Sequence, residues 1–551
     1  MKKFNHIYKY LIIVCLFSAC KIDRFPESEF SDADFWNTEA DLINAANRMY
    51  QQLDANWIDN RGDDAVNQGG PNTISNGTRT IPNTSGDWND RYDEIFTANN
   101  ILEKAGKAQV TDAVRNRYYG EARFFRAYAY LSLLQKYGDV PLVLKTLDIN
   151  SPELYMGRTR RSEVIAQIYA DLDFAAEWLP SRAALPAAEY GRVTKSAAWA
   201  LKARAALYEG TRAKFHNTGG WQTHLQVAVD AAQKVMTGQG HNLYSSYQNL
   251  FLHAGEGPGN TENIFVKIYG VSNTNLILGH NNSRDLENGR MAPTRNLIRQ
   301  YLYSDGLPAF NTDNTPAATR SPLFVEEGSE ASYNTILDNR DPRLALTVYR
   351  AGEEAYKGPW VPTTSLGARS AFAAKKGFST TDQTINGAAT VDRILIRYAE
   401  VLLIYAEAKF ELTESISDAD LNLTINALRT RVGFAPKLTN AFVTANNLSM
   451  REEIRRERTV ELALEGFRYD DLIRWKKAEV ALPQELLGAK FIEADWPGTN
   501  PNTLNLNADR VLIVEPSTTR MFQANRDYLY PVPFNEITLS GGSVVQNPNW
   551  Q

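Results

Sequence analysis

Cysteine is nearly missing from this chain: Cys15 and Cys20 are the only two in 551 residues. That count excludes a disulfide-stapled fold and a thiolate metal site, so a chain of this length has to rest on its hydrophobic core. Histidine is scarce as well. Beyond residue 19 there are His216, His224, His241, His253 and His280. None forms an HExxH pair, and the closest two lie eight positions apart, which excludes a two-histidine metal site on one helix. No metal and no cofactor is expected. No G-x-S-x-G nucleophile elbow occurs, and Gly255, Gly257 and Gly259 surround Pro258 with no strand before them, as in a loop. Basic charge is neither in excess nor clustered, with 59 Lys+Arg against 64 Asp+Glu and a formal net charge of −5. This excludes a nucleic-acid partner, which needs a concentrated basic surface. Long apolar runs are absent too: the longest, about Leu11–Phe17, is too short to span a bilayer as a helix.

That short run has another reading. Lys2, Lys3 and Lys9 precede it, and Ser18-Ala19-Cys20 follows it. A positive start, an apolar stretch and small residues describe a secretory signal, here 1–19. The cysteine after small residues resembles a bacterial lipobox, with Cys20 as the diacylated first residue of the mature chain. Residues 20–31 then form a polar tether, and 32–551 form one domain. Cleavage before Cys20 consumes both thiols and leaves a formal charge of about −8.

The periodicity predicts helices in two blocks, about 32–238 and 391–478. Thr38 and Asp41 form a capping box ahead of Leu42, Ala45, Met49 and Leu53. A second helix carries Trp88, Tyr92, Ile95, Asn99 and Leu102. A third runs from Asp112 to Tyr137 and stops at Gly138. A fourth starts near Ser162 and ends at Pro180, a fifth starts at Thr194, and a sixth spans Trp221–Met236. Alanines crowd the fifth helix, and short loops make neighbours antiparallel. In the late block, the run from Arg397 reads as an amphipathic helix with Tyr398, Val401, Leu402, Tyr405 and Ala408 on one face. Leu421–Val432 is its partner. A helix from Met450 carries Glu452 and Glu453 in reach of Arg455 and Arg456, pairs suited to a solvated or inter-repeat face. Spacing alone leaves an irregular bundle and degenerate tetratricopeptide-like repeats both open.

Between the blocks, 240–390 is rich in Gly, Asn, Thr, Pro and aromatics. A loop region this long with that many rings is read as ordered and functional. Residues 479–551 read as mostly irregular.

Several long segments are similar to one family, in its order: GEARFFRAYAYLSLLQKYGDVPLV from Gly120, RSEVIAQIYADLDFAAEWLP from Arg161, GRVTKSAAWALKARAALYEG from Gly191, RYAEVLLIYAEA from Arg397, ERTVELALEGFRYDDLIRW from Glu457, YLYPVPFNEI from Tyr528 and QNPNW at Gln546. In these the chain resembles the SusD/RagB family of surface nutrient-binding lipoproteins, with Asn549 where the family usually has Gly. The resemblance implies a mainly α fold of four tetratricopeptide-like repeats, with irregular loops and short strands building a ligand face. It implies a non-catalytic protein anchored in the cell outer membrane through lipid only and facing the exterior. Its partner would be a SusC-like TonB-dependent barrel, to which it delivers oligosaccharides or, in some members, peptides. Two alternatives stand beside it. One is a surface glycoside hydrolase, since 64 acidic residues always contain pairs and only their separation is diagnostic. The other is a repeat scaffold that only holds a partner protein.

Ligand contacts are expected on loops carried by a rigid scaffold. Sugars stack on indole and phenol rings and bond to amides and guanidinium groups. Trp57 opens the early loop, about 56–87 and rich in Gly, Asn, Thr and Asp, which supplies Asn72 and Arg79 as polar candidates. Trp360 and Tyr356 are the candidates from the 240–390 region. Trp88, Trp178 and Trp199 fall on helices and are read as core.

Overall fold

The computed structural model describes residues 35–53, 57–272, 275–364 and 369–551. The proposed signal, Cys20 and the tether lie outside them. The early block holds α1 (Glu39–Gln52), α2 (Gly86–Lys104), α3 (Asp112–Tyr137), α4 (Arg161–Trp178), α5 (Lys195–Phe215) and α6 (Trp221–Met236). Local chemistry sets their ends. Thr38 and Asp41 make the expected reciprocal cap on α1. The hydroxyls of Thr111 and Thr194 accept from the third backbone N–H of α3 and α5. Gly138 ends α3 at φ 76°, where a side chain is disfavoured.

From α2 onward each helix packs on the next, so a stack of helical hairpins forms. The small residues of α5 permit the closeness. A Cβ on Gly210 would lie 2.8 Å from Leu225 Cδ2 and 3.0 Å from the Leu225 backbone nitrogen on α6. The chain then leaves the stack and returns as α7 (Tyr398–Thr413), which packs on α6, on α5 and on α8 (Met450–Glu461). α9 (Arg468–Arg474) closes against α5. The fold is mainly α, a tetratricopeptide-like scaffold carrying irregular segments and short strands.

Those strands, β1 (Ala65–Val66), β2 (Asn263–Lys267), β3 (Ala292–Pro293), β4 (Arg393–Arg397), β5 (Leu486–Lys490) and β6 (Val511–Glu515), pair antiparallel as β1–β3, β2–β4 and β5–β6. The pairing of β1 with β3 ties the early loop to the middle region. The β2–β4 ribbon places Phe265 and Ile396 in the core of the helical stack. A second core, around Tyr301, Tyr333, Phe372, Trp360 and Trp496, holds the middle region together.

Two helical expectations change. The run from Arg397 is not amphipathic: α7 is buried on nearly every side, Glu400, Glu407 and Glu411 included. It has neighbours on three flanks, so no face is left for water. The Leu421–Val432 helix is two short ones, Asp418–Leu423 and Ile425–Arg431. They break at Thr424 (φ −117°, ψ −92°), whose hydroxyl donates to the Asp420 carbonyl.

The acidic residues of the late helices face neither solvent nor a simple helix–helix seam. The Glu461 carboxylate is fully buried and meets Arg343 at 3.0 Å, Arg397 at 2.7 Å and Arg431 at 2.5 Å. Arg397 also reaches Glu262 at 2.9 Å and Glu465 at 2.8 Å. Arg429 and Arg343 share Glu457 at 2.8 and 2.7 Å. The network joins the loop region to the late helices, drawing partners from widely separated segments. The short-range pairs exist as well, Glu453–Arg456 at 3.1 Å and Glu452–Arg455 at 3.7 Å, and both arginines are buried.

Candidate functional site

A polar cavity of about 550 Å³ opens between the early loop, α3, α5, β4 and the turn into α9. Its volume lies in the range of small-molecule sites. The early loop lines it with Asp59, Asn60, Arg61 and Asn72. Asn72 closes a turn by accepting from the Ile74 N–H at 2.9 Å, and its amide donates to Asn60 Oδ1 at 2.6 Å, so the two carboxamides brace each other. The α3 contribution comes from one helical face: Tyr128, Ser132 and Gln135 recur at i, i+4 and i+7, with Lys136 beside them.

Ion pairs fix much of the wall. Arg61 grips Asp59 through Nε and Nη2 at 2.9 and 2.7 Å and reaches Asp470 at 3.3 Å. Its Nη1 donates to the Tyr530 hydroxyl at 3.3 Å. Lys136 pairs with Asp87. Arg204 holds Glu400 with two bonds of 2.6 Å. Burial alone would raise the Asp59 carboxyl, but Arg61 outweighs it and holds the group below its ordinary range. For Asp470 burial wins over the more distant Arg61, and its carboxyl is raised. Burial opposes ionisation of Glu465 too, yet Arg397 and Lys376 bring it down to about 2.

The early-loop candidates gather here. Asn72 is in the wall. Trp57, 9 % exposed, backs it: the guanidinium of the lining residue Arg393 lies 4.6 Å from the indole centroid. Arg79 lies 3.8 Å over the ring of Tyr530, another lining residue, and 5.1 Å from Trp550. Tyr356 and Trp360 are elsewhere. Trp360, 6 % exposed, donates from Nε1 to the Tyr333 hydroxyl at 3.1 Å. Tyr356 donates to the Ala374 carbonyl at 2.6 Å and packs on Phe378. Both belong to the packing of the second core, and neither lines the cavity. Packing covers the rings of both Trp57 and Trp360, so neither presents an open indole face in this structure. Sequence reasoning missed Ser132, Gln135, Arg393 and Asp470. The polar positions on one face of α3 in its otherwise apolar last turns, from Ala127 on, were the available signal.

A profile described as the SusD family matches residues 259–550, and one described as starch-binding associating with outer membrane matches 28–207. The chain belongs to the SusD family. A SusD-like protein P2 of Formosa agariphila is 26 % identical over 100 % of both chains, and a SusD-like protein of Bacteroides ovatus is 23 % identical, covering 90 % of this chain and 86 % of that one. Among solved structures, a SusD-like carbohydrate-binding protein from Bacteroides fragilis superposes with TM-score 0.74 at 25 % identity, over 92 % of this chain and 99 % of that one. A laminarin-binding SusD-like protein shares the fold at TM-score 0.60 and 21 % identity, over 93 % of this chain and 100 % of that one. The SusD-family match covers the late helices, and the second profile covers α1 to α4 and the first part of α5, so cavity residues come from both.

Proposed function

We propose that this SusD-family protein is a glycan-binding lipoprotein that captures oligosaccharides in the polar cavity and passes them to a TonB-dependent SusC-like barrel in the outer membrane. The cavity wall carries the reading. Paired carboxylates and guanidinium groups, carboxamides and a hydroxyl offer fixed donors and acceptors for sugar hydroxyls. The partly exposed rings of Tyr128 and Phe467 offer apolar surface for sugar C–H groups. The carbohydrate-binding relative from Bacteroides fragilis supports the ligand class, and the outer-membrane description of the second profile supports the location. The anchor is Cys20: a diacyl group supplies the two chains that stable attachment needs, and Cys20→Ser expressed without a barrel leaves the outer-membrane fraction.

The binding reading is preferred to hydrolysis because Asp59 and Asp470, the cavity carboxyls of unequal proton affinity, both accept from the one Arg61 Nη2, whereas the two carboxyls of a glycosidase flank the scissile bond. The test is calorimetry with a panel of oligosaccharides and peptides on the parent and on Ser132→Phe. Ser132 lines the cavity, and among the described residues its hydroxyl makes no hydrogen bond, so the ring fills space without breaking one. Loss of oligosaccharide binding in a folded Ser132→Phe supports the site. Unchanged binding refutes it, and turnover of a bound glycan by the purified protein refutes the non-catalytic reading.

A further inference from the structure

The charged groups of the cavity wall are matched, with one exception. Arg61, Lys136, Arg204, Arg397, Arg458 and Arg474 each have a carboxylate partner. Arg393 has none among the described residues. It is 8 % exposed, on β4, with its guanidinium against the Trp57 ring. Among the described residues its hydrogen bond is a long one, from Nη2 to the Glu465 main-chain carbonyl at 3.3 Å, and its Nε is buried without a partner. The carboxylates nearby are spoken for. Glu465 is held by Lys376 at 2.6 Å and Arg397 at 2.8 Å, and Asp59 by Arg61 at 2.7 Å.

A buried cation without an anion is costly, and structures retain one where a partner arrives or where the charge is used. The Trp57 face offsets part of that cost. It also fixes the guanidinium plane, which removes most of the ordering entropy that a flexible cation spends on binding. A planar guanidinium offers two parallel N–H donors, the geometry that fits a carboxylate or a sulfate. Burial lowers the proton affinity of Arg393, yet a guanidinium stays charged at any physiological pH, so the positive charge persists in the wall.

We propose that the oligosaccharide taken into this cavity is acidic, carrying a carboxylate or sulfate substituent, and that Arg393 receives that substituent. The proposal rests on the cavity being the glycan site and adds the ligand's charge. A neutral sugar leaves Arg393 unpaired and more deeply desolvated; an anionic one completes the pairing of the wall.

The experiment uses three tetrasaccharides of equal length, one of uronic acids, one neutral and sulfated, one neutral and unmodified, with an acidic peptide as a fourth probe. Affinities are measured for the parent, Arg393→Gln, Arg393→Lys and Ser132→Phe. The expected result is a preference for an acidic tetrasaccharide over the unmodified one on the order of 10-fold to 100-fold, the worth of a hydrogen-bonded charge. Arg393→Gln erases that preference, and Arg393→Lys keeps part of it. The two acidic arms tell carboxylate from sulfate recognition. Should Arg393→Gln fail to fold, the parent's own salt dependence decides: acidic-ligand affinity falls with ionic strength and neutral-ligand affinity does not. A parent that binds the unmodified tetrasaccharide as tightly as the acidic ones, and loses it in Ser132→Phe, overturns the proposal and leaves the cavity reading intact. Binding that Ser132→Phe leaves untouched overturns both. Tighter binding of the acidic peptide than of any sugar overturns the proposal in favour of a peptide ligand.

Discussion

Glu461→Gln is the substitution that probes the framework of the site most sharply. The carboxylate is fully buried where guanidinium groups from Arg343, Arg397 and Arg431 converge within 2.5 to 3.0 Å. Glutamine matches its shape, removes its charge and turns an amide toward three cations. Taking one partner out of a buried ion pair costs about 3 to 5 kcal/mol. The network does not triple that figure, because each cation keeps another carboxylate: Asp341 at 2.6 Å for Arg343, Glu262 at 2.9 Å for Arg397, and Glu262 at 3.2 Å for Arg431. Urea unfolding followed by tryptophan fluorescence and far-ultraviolet dichroism, at pH 7, measures the loss. The pH dependence has a definite sign. Burial opposes ionisation of Glu461, but Arg431, Arg397 and Arg343 pull its pKa well below the ordinary 4.5. A depressed carboxyl stabilises the fold fully above its unfolded value and loses that contribution as pH falls toward its folded one. The gap between parent and variant therefore narrows as pH drops below about 4.5. A variant within about 1 kcal/mol of the parent at pH 7, or a gap that does not narrow in acid, refutes the argument.

Gly210→Ala forces a methyl against Leu225 across the α5–α6 contact and destabilises by about 1 to 3 kcal/mol; equal urea midpoints would show that the helices can separate without cost. Trp360→Ala empties part of the second core and costs about 3 to 5 kcal/mol, while calorimetry on the folded fraction finds oligosaccharide affinity unchanged; lost affinity would return Trp360 to the ligand site. Burial, with Glu256 beside it, raises the Asp392 carboxyl to about 7, so the folded state binds the extra proton and stability falls as pH rises from about 4 to 7. Asp392→Asn keeps an acceptor for the Tyr269 N–H and is the more stable protein at pH 8 by about 2 to 4 kcal/mol, with no advantage at pH 4; equal stability at both values would contradict the assignment.

The early helices were legible because their ends are written locally. Thr38, Thr111 and Thr194 cap, and Gly138 stops, where side-chain oxygens and a positive φ decide matters within four residues. The α7 run was misread because amphipathicity is a property of surroundings: the same apolar spacing serves a helix covered on one flank or on three. The Glu–Arg spacing of α8 likewise looks the same whether water or Arg343 lies alongside, and that partner of Glu461 sits more than a hundred residues upstream. The candidate cavity was legible only on its early-loop side. Loop chemistry pointed to Trp57, Asn72 and Arg79, which lie in the cavity wall or directly behind it. Trp360 met the same loop criterion, but its Nε1 finds Tyr333 and its ring finds the second core. Arg393 became visible only once the pairing of every neighbouring charge was known.

The central claim is that a glycan occupies the space between the early loop, α3 and β4. A crystal structure with the tightest-binding oligosaccharide tests it most directly. Sugar density is expected against Asn72, Gln135 and Arg393, with the acidic substituent on the Arg393 guanidinium. Sugar density on the outer surface, with only water in the cavity, would contradict it.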